Sequence, residues 1–392
     1  MTNPPRCLHV VPTYYPAVRY GGPIHSVHGL CRSLAELGCD VHVFTTNVDG
    51  AGVSPVELDR PIDLDGVKVW YFPTGAGRRL YRSPAMRAAL ETRIASFDIV
   101  HLHSVFLWPT AMAARIARDR AIPYVLAPRG MLVDDLIRAK NRLVKRAWIG
   151  LVEATNVAGA AAIHVTSEIE RAEIEKIGLK VRSYALVPNG VAVPAVQPAA
   201  APASGGRLKV LSLGRISWKK GIDRLIAAMA HTQDAELLIA GPDEESASVE
   251  LKSLCARLGL AERVRFVGPA HGEEKAALMR ECAVLALASL SENFGNVVLE
   301  AMACARPVVV TPQVGLADVV AQTGSGLVAA GEPVEFGRAL SALLQSAELR
   351  AQCGAAGYAT ARDRFSWPVV ARQMQVVYQQ HVTARTEGGV GG

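Results

Sequence analysis

Nowhere in its 392 residues does this sequence hold a run of about 18 uncharged apolar residues, so no segment reads as a transmembrane helix. Its seven cysteines, at 7, 31, 39, 255, 282, 304 and 353, form no Cys-x-x-Cys. That excludes a disulfide-stapled miniprotein and a cysteine-built structural zinc site, and it fits a reduced, cytoplasmic chain. Before Tyr15 only Leu8–Val11 is apolar, too short for the core of a secretory signal. Neither half follows its first strand-like run with Gly-x-Gly-x-x-Gly, which counts against a nicotinamide-dependent dehydrogenase. Charged residues make up only 20% of the chain and apolar residues 50%. This excludes a disordered or fibrous protein and leaves enough for two or three domains, each with its own core.

What charge there is lies unevenly. Up to Gly190 the chain has 23 Lys/Arg against 17 Asp/Glu, and from Val191 onward 19 against 19. The basic half points to an anionic partner. Neither nucleic acid, nor a cofactor, nor a metal is expected.

Short apolar runs alternate with amphipathic stretches along the whole chain. In the first half the runs are Leu8–Val11, Val41–Thr45, Val67–Phe72, Ile99–His103, Tyr124–Ala127, Ala162–Val165 and Ala185–Val187. Between the first two, Ile24, Val27, Leu30, Leu34 and Leu37 recur at helical spacing, and Gly38 stands where a helix would stop. The alternation restarts at Leu208–Leu213, Leu237–Ala240, Val264–Val267, Val284–Ala288 and Val308–Thr311. Such a pattern predicts an α/β fold of two doubly wound, Rossmann-like domains with parallel sheets. The Pro/Ala-rich stretch 194–206 predicts the linker between a domain over 1–193 and one over 207–366. The EGGVGG tail after Thr386 predicts disorder. Doubly wound sheets bind ligands at the carboxyl ends of their strands, so two of them facing each other make an interdomain cleft.

Two stretches suit chemistry at those strand ends. Ser291–Glu300 (SENFGNVVLE) follows a strand-like run, and Val297, Val298, Ala301 and Met302 have helical spacing. Gly295 and Asn296 then open a helix whose unpaired N–H groups and dipole attract a phosphate. Glu292 precedes that start and Glu300 lies one turn in, placed to grip sugar hydroxyls on either side. A solvated loop Glu and a first-turn Glu favoured by the dipole are the plainer alternative. Gly214–Gly221 (GRISWKKG) follows the first strand of the second half. There Arg215 and Lys220 could clamp a diphosphate leaving group in place of a metal, or form a merely solvated basic loop.

These motifs, with Pro307-Val308-Val309 after the helix, resemble those of the group 1 retaining glycosyltransferases, family 4 of the carbohydrate-enzyme classification. The first half agrees through Gly21-Gly22, the helix ending at Gly38, the stretch Asp98–His103 (DIVHLH) and Pro188-Asn189-Gly190. The resemblance covers nearly the whole chain and implies the GT-B fold, two facing Rossmann-like domains with the donor in the cleft. A C-terminal helix over about 367–384 would pack back on the first domain, which binds the acceptor. The resemblance further implies that Glu300 holds the nucleotide ribose and Glu292 the donor-sugar hydroxyls. The backbone of Phe294, Gly295, Asn296 and Val297 would bind sugar and phosphate, Arg215 and Lys220 would neutralise the diphosphate, and Gly22 would let its loop approach it. His103 would face sugar and acceptor, and backbone near Ala270 would meet the base. Ala305, Val314-Gly315 and Asp318 depart from the family pattern and bear on donor identity rather than on the reaction.

His101 and His103 share one face of a strand, but the remaining histidines suggest no second ligand cluster, so structural histidines or a substrate role for His103 stand ahead of a metal pair. Asp63-Leu64-Asp65 is formally a DxD, yet Asp65-Gly66 before a strand is turn chemistry. Arg138, Lys140, Arg142, Lys145 and Arg146 are interleaved with Leu136, Ile137, Leu143, Val144, Trp148 and Ile149. The basic helix 134–156 is thus either a peripheral anchor on the anionic inner face of a membrane or a surface helix with its apolar side in the core. Pro128–Leu132 (PRGML) before it would sit over the acceptor mouth. The expected activity is metal-independent, retaining transfer of a hexosyl unit from a nucleotide diphosphate sugar to a saccharide, lipid-linked in surface polysaccharide synthesis. The rivals are an epimerase or phosphorylase on the same fold, and a non-catalytic sugar-nucleotide-binding subunit.

Overall fold

The computed structural model describes residues 4–18, 21–58, 60–133, 142–199, 206–243 and 246–388. The chain divides into two compact units, Met1–Gly190 with Trp367–Gly392, and Val191–Ser366.

The strands of the first unit are β1 (Arg6–Val11), β2 (Asp40–Thr46), β3 (Val48–Asp49), β4 (Gly52–Val53), β5 (Ile62–Leu64), β6 (Val67–Phe72), β7 (Ile99–His103), β8 (Tyr124–Ala127), β9 (Ala162–Val165) and β10 (Tyr184–Leu186). Its main sheet has the order β10-β9-β8-β7-β1-β2-β6-β5. Only the edge strand β5 runs antiparallel to its neighbour there. The turn of that hairpin is Asp65-Gly66, with φ +54° and +80°, the left-handed pair that a tight two-residue turn requires. The formal DxD is therefore a hairpin turn, and Asp65 binds His28 Nε2 at 2.9 Å.

β1 and β7 are nearly continuous apolar runs because both of their faces are covered. Leu8, Val10, Val100 and Leu102 pack on one side with the helices Pro84–Arg93 and Trp108–Asp119. Cys7, Val11 and Ile99 pack on the other with the helices Gly22–Glu36 and Trp367–Gly388. The first of these ends as its sequence predicts: Gly38 N bonds Ala35 O (2.9 Å) and Cys39 N bonds Leu34 O (3.0 Å), with Gly38 at φ +88°, a Schellman motif. The last helix is integral to this unit, since Val370, Ala371, Met374 and Tyr378 are all buried in its core. Its Trp367 ring lies where a Cβ on Gly29 or Gly190 would be, 2.3 Å away in each case. The helix runs on to Gly388 where the sequence predicts a structureless end; 389–392 lie outside the described residues.

The second unit holds β11 (Leu208–Leu213), β12 (Ala235–Ala240), β13 (Val264–Gly268), β14 (Val284–Leu287), β15 (Val308–Val310) and β16 (Gly326–Val328). All run parallel in the order β13-β12-β11-β14-β15-β16. Renumbered within the unit this is 3-2-1-4-5-6, the doubly wound order in which ligands bind beyond the first and fourth strands. β1 and β7 hold the same place in the first unit. Val191 belongs to the second unit, where its N bonds Phe365 O at 2.8 Å. Pro194 O accepts from Tyr358 (2.7 Å) and Ala199 O from Arg306 (2.6 Å), so the start of the stretch read as a linker is tied down. Its residues 200–205 lie outside the described residues.

Candidate functional site

In the second unit two loops leave the carboxyl ends of the neighbouring strands β11 and β14. The first passes through Gly221, at φ +59°, where a Cβ would stand 2.1 Å from Ala288 O. Only glycine admits that approach. The loops are joined where Leu290 N donates to Lys219 O at 2.8 Å. This places the Lys220 ammonium in an ion pair with Glu292, the side chains 20% and 23% exposed. Glu292 is itself held by its backbone, N to Gln313 O (3.1 Å) and O from Gly315 N (2.9 Å). A Cβ on Gly315 would lie 2.0 Å from Asn293 O. The departure at 314–315 is thus accommodated, with Val314 buried against Gly295 and glycine kept where the backbones touch.

The helix Asn296–Ala303 starts beside Glu292. Gly295 is its N-cap, at φ +94°, and supplies no side-chain cap, which leaves the helix start suited to an anionic oxygen. Phe294 and Val297 turn their side chains into the core, so only their backbone serves a ligand. One turn in, the Glu300 carboxylate lies 2.7 Å from Lys275 Nζ. Lys275 is on the helix Gly272–Glu281, just after the half-buried Ala270. No local signal in the sequence marks Lys275. Arg215 is exposed at the same strand end.

In the first unit Gly22 is the first residue of its helix, and the left-handed backbone falls on Gly21 (φ +73°). Contrary to the expectation that the remaining histidines form no cluster, two of them meet His101 and His103. Register sets His9 on β1 beside His101 on β7, and His103 and His164 complete a buried cluster. His9 Nδ1 and His103 Nε2 are 3.0 Å apart, and His101 Nε2 and His164 Nδ1 3.2 Å. Tyr378 Oη lies 2.7 Å from His101 Nδ1. Burial pushes the pKa of His9 and of His164 down to about 3, and those of His101 and His103 well below the ordinary range, with Arg129 adding to each. All four are neutral near pH 7. His9, His101 and His103 offer nitrogens within 4.8 Å of one another, the geometry of a metal site. Both nitrogens of each ring, however, have hydrogen-bond partners within the protein. The sequence hides this cluster because His9 and His103 are 94 residues apart.

A hollow of about 170 Å³ opens at the carboxyl ends of β1 and β7, between Thr13, Tyr81, His103, Ser104 and Arg129 and apolar neighbours. His103, placed by resemblance against the substrate, is 1% exposed, with one nitrogen bonded to His9 and the other 3.1 Å from Arg129 Nη2. His103 and Arg129 both line the hollow. A second hollow, about 150 Å³, lies at the amino edge of the sheet, where Arg6 and Arg93 already stack on Phe97 and Trp70.

Two family descriptions match the chain: "Glycosyl transferases group 1" over residues 196–360 and "Glycosyl transferase 4-like domain" over 21–190. The phosphatidyl-myo-inositol mannosyltransferase of Mycobacterium leprae is 32% identical, covering 79% of this chain and 81% of that protein. The chain belongs to the group 1 glycosyltransferases. The D-inositol 3-phosphate glycosyltransferase of Xylanimonas cellulosilytica is 26% identical over 96% of both chains. Among solved structures, sucrose-phosphate synthase from Thermosynechococcus elongatus superposes with a TM-score of 0.75 at 22% identity, over 97% of this chain and all (100%) of that one. Anabaena HepE in complex with UDP and glucose gives 0.74 at 19%, over 96% and 100%. These likenesses establish the GT-B type of fold for this glycosyltransferase, whose two units are both Rossmann-like. No helix among the described residues of the transferase is long and apolar enough to cross a membrane.

Of the basic helix in this glycosyltransferase, 134–141 lie outside the described residues. In the rest, Trp148 Nε1 donates to Glu153 (2.8 Å) and Ile149 is buried. Leu143, Val144 and Leu151 are 82%, 69% and 81% exposed.

Proposed function

We propose that this glycosyltransferase moves a hexosyl unit, with retention and without a metal ion, from a UDP-sugar or GDP-mannose to a saccharide acceptor. The observation that carries the reading is the convergence of Lys220, Glu292 and the start of the helix Asn296–Ala303 at the β11/β14 switch point. Glu292 would grip the donor sugar and Glu300 the ribose, with backbone near Ala270 at the base. Arg215, Lys220 and the helix start would neutralise the diphosphate, and Gly22 would admit its loop to it. The bond from the anomeric carbon to the diphosphate oxygen breaks as the acceptor oxygen attacks on the same face. The acceptor proton passes to the departing diphosphate. Positioning and charge stabilisation then supply most of the catalysis. The names of the relatives, inositol phosphate and phosphatidylinositol transferases, support an anionic acceptor. A lipid-linked acceptor in exopolysaccharide, capsule or O-antigen synthesis, at the cytoplasmic face of a membrane, fits the exposed Leu143, Val144 and Leu151 on a basic helix.

Thermal shift with UDP, GDP, ADP and dTDP tests the reading. A nucleotide at a hundred times its dissociation constant stabilises by about 2.7 kcal/mol, and one of the four is expected to do so. Its sugar conjugate should then be hydrolysed slowly without acceptor, at a rate that excess chelator leaves unchanged. No response to any of the four, or a donor epimerised without acceptor, defeats the proposal. Cosedimentation with anionic vesicles, abolished by Leu143→Glu, tests the membrane component separately.

A further inference from the structure

The four buried imidazoles and the Tyr378 hydroxyl form one hydrogen-bonded chain, and its two ends set its direction. Arg129 can only donate, so its Nη2 requires an unprotonated Nδ1 on His103 (3.1 Å), which puts that ring's proton on Nε2. His103 Nε2 donates to His9 Nδ1 (3.0 Å), and His9 in turn carries its proton on Nε2, 3.4 Å from Tyr378 Oη. At the other end the Val187 carbonyl can only accept, so His164 is protonated on Nε2 (2.8 Å) and accepts at Nδ1 from His101 Nε2 (3.2 Å). His101 Nδ1 therefore accepts from the Tyr378 hydroxyl (2.7 Å). Tyr378 Oη thus donates to His101 Nδ1 and accepts from His9 Nε2. Every ring is neutral and Nε2-protonated.

For Arg129 this has a consequence. The chain gives the guanidinium a fixed acceptor but no counter-charge. Its Nη1 donates to Asn189 Oδ1 at 2.9 Å, also neutral, and its Nε is buried with no partner. Among the described residues no carboxylate pairs with it. Glu170 offsets part of its charge through space without touching it, its oxygens being held by Gly130 N (2.7 Å), Thr166 N (2.8 Å) and Thr166 Oγ1 (2.9 Å). A carboxylate in place of His103 would hold the arginine equally well and cancel its charge. A neutral imidazole holds it and leaves the charge for a ligand. Around the same hollow Tyr81, Ser104 and Arg129 all adopt left-handed backbone, at φ +58°, +80° and +54°. Such strain collects at functional sites.

We propose that Arg129 is the group with which the first unit holds an anionic oxygen group of the acceptor, a phosphate or a carboxylate. His9, His101, His164 and Tyr378 are its positioning residues, acting through His103. The inference rests on the transferase reading for there being an acceptor at all.

Calorimetry of inorganic phosphate into the UDP-saturated full chain tests it, with UDP titrated alone in parallel. Phosphate affinity should fall at least tenfold in Arg129→Gln and severalfold in Arg129→Lys and Tyr378→Phe, while UDP affinity stays unchanged in all three. Equal phosphate affinity in wild type, R129Q and R129K overturns the proposal. A parallel loss of UDP affinity also overturns it, because the anion would then be the donor's diphosphate. Should the wild type bind phosphate through Arg129 but no UDP, the anion site stands and the transferase reading falls. Nitrogen-15 spectra of histidine-labelled protein at pH 7.5 give the second readout: four neutral, Nε2-protonated rings are expected. An Nδ1-protonated ring, or zinc held stoichiometrically by His9, His101 and His103, refutes the positioning role.

Discussion

The Lys220–Glu292 ion pair is partly exposed, so it contributes about 1 kcal/mol or less to stability. Removing either partner should leave the fold intact, which makes the pair a clean probe of function. Glu292→Ala and Lys220→Ala are each expected to lower turnover by roughly two to three orders of magnitude, with melting temperatures close to wild type; turnover near that of wild type in either would remove both from the reaction. The buried histidines make the opposite case. Their folded pKa values lie below the ordinary 6.5, at about 3 for His9 and His164. Below pH 6.5 the unfolded chain takes up protons that the folded chain refuses. Stability is therefore full above about pH 7 and falls as the pH drops toward 3, by up to about 1.4 kcal/mol per pH unit for each ring. Urea midpoints between pH 7.5 and 5 measure the slope, and His164→Gln should flatten it by about one ring's share. That Lys220 and Glu292 come to neighbouring strand ends and Glu300 one turn into a helix was legible, because each stands in a short loop motif that contains a glycine. Lys275, Arg129 and the partners of His103 were not, since each finds its partner across the sheet.

At the scale of elements, glycines decide how the strands hand over to the helices. Gly221 combines a left-handed backbone (φ +59°) with a Cβ position only 2.1 Å from Ala288 O. Gly221→Ala should cost at least about 2 kcal/mol, combining left-handed strain with a clash against rigid backbone. Because this turn carries Lys220, donor affinity should fall with it; chemical denaturation and nucleotide titration of the one variant check both, and an unchanged midpoint would contradict the geometry. Helix and strand existence was readable from apolar periodicity, down to the Schellman stop at Gly38. The short strands β3, β4, β5 and β16 were not read from the sequence.

For the whole molecule, the two units differ in how their chain is assembled. The core of the second is built entirely from Val191–Phe365. The first borrows Val370, Ala371, Met374 and Tyr378 from the last helix. A chain ending at Ser366 should expose that core and break the histidine chain at Tyr378, so limited proteolysis should digest the first unit and spare a fragment near Val191–Ser366. Survival of both would show that the last helix is dispensable. The sequence alone determined the doubly wound class, the helix start at Gly295-Asn296 and the family, because apolar period, glycine placement and loop motifs act between near neighbours in the chain. Only tertiary structure decided the direction of the histidine chain and that no carboxylate among the described residues touches Arg129. Those depend on ångström distances between residues that sequence separates by dozens to hundreds of positions, and no local pattern encodes them.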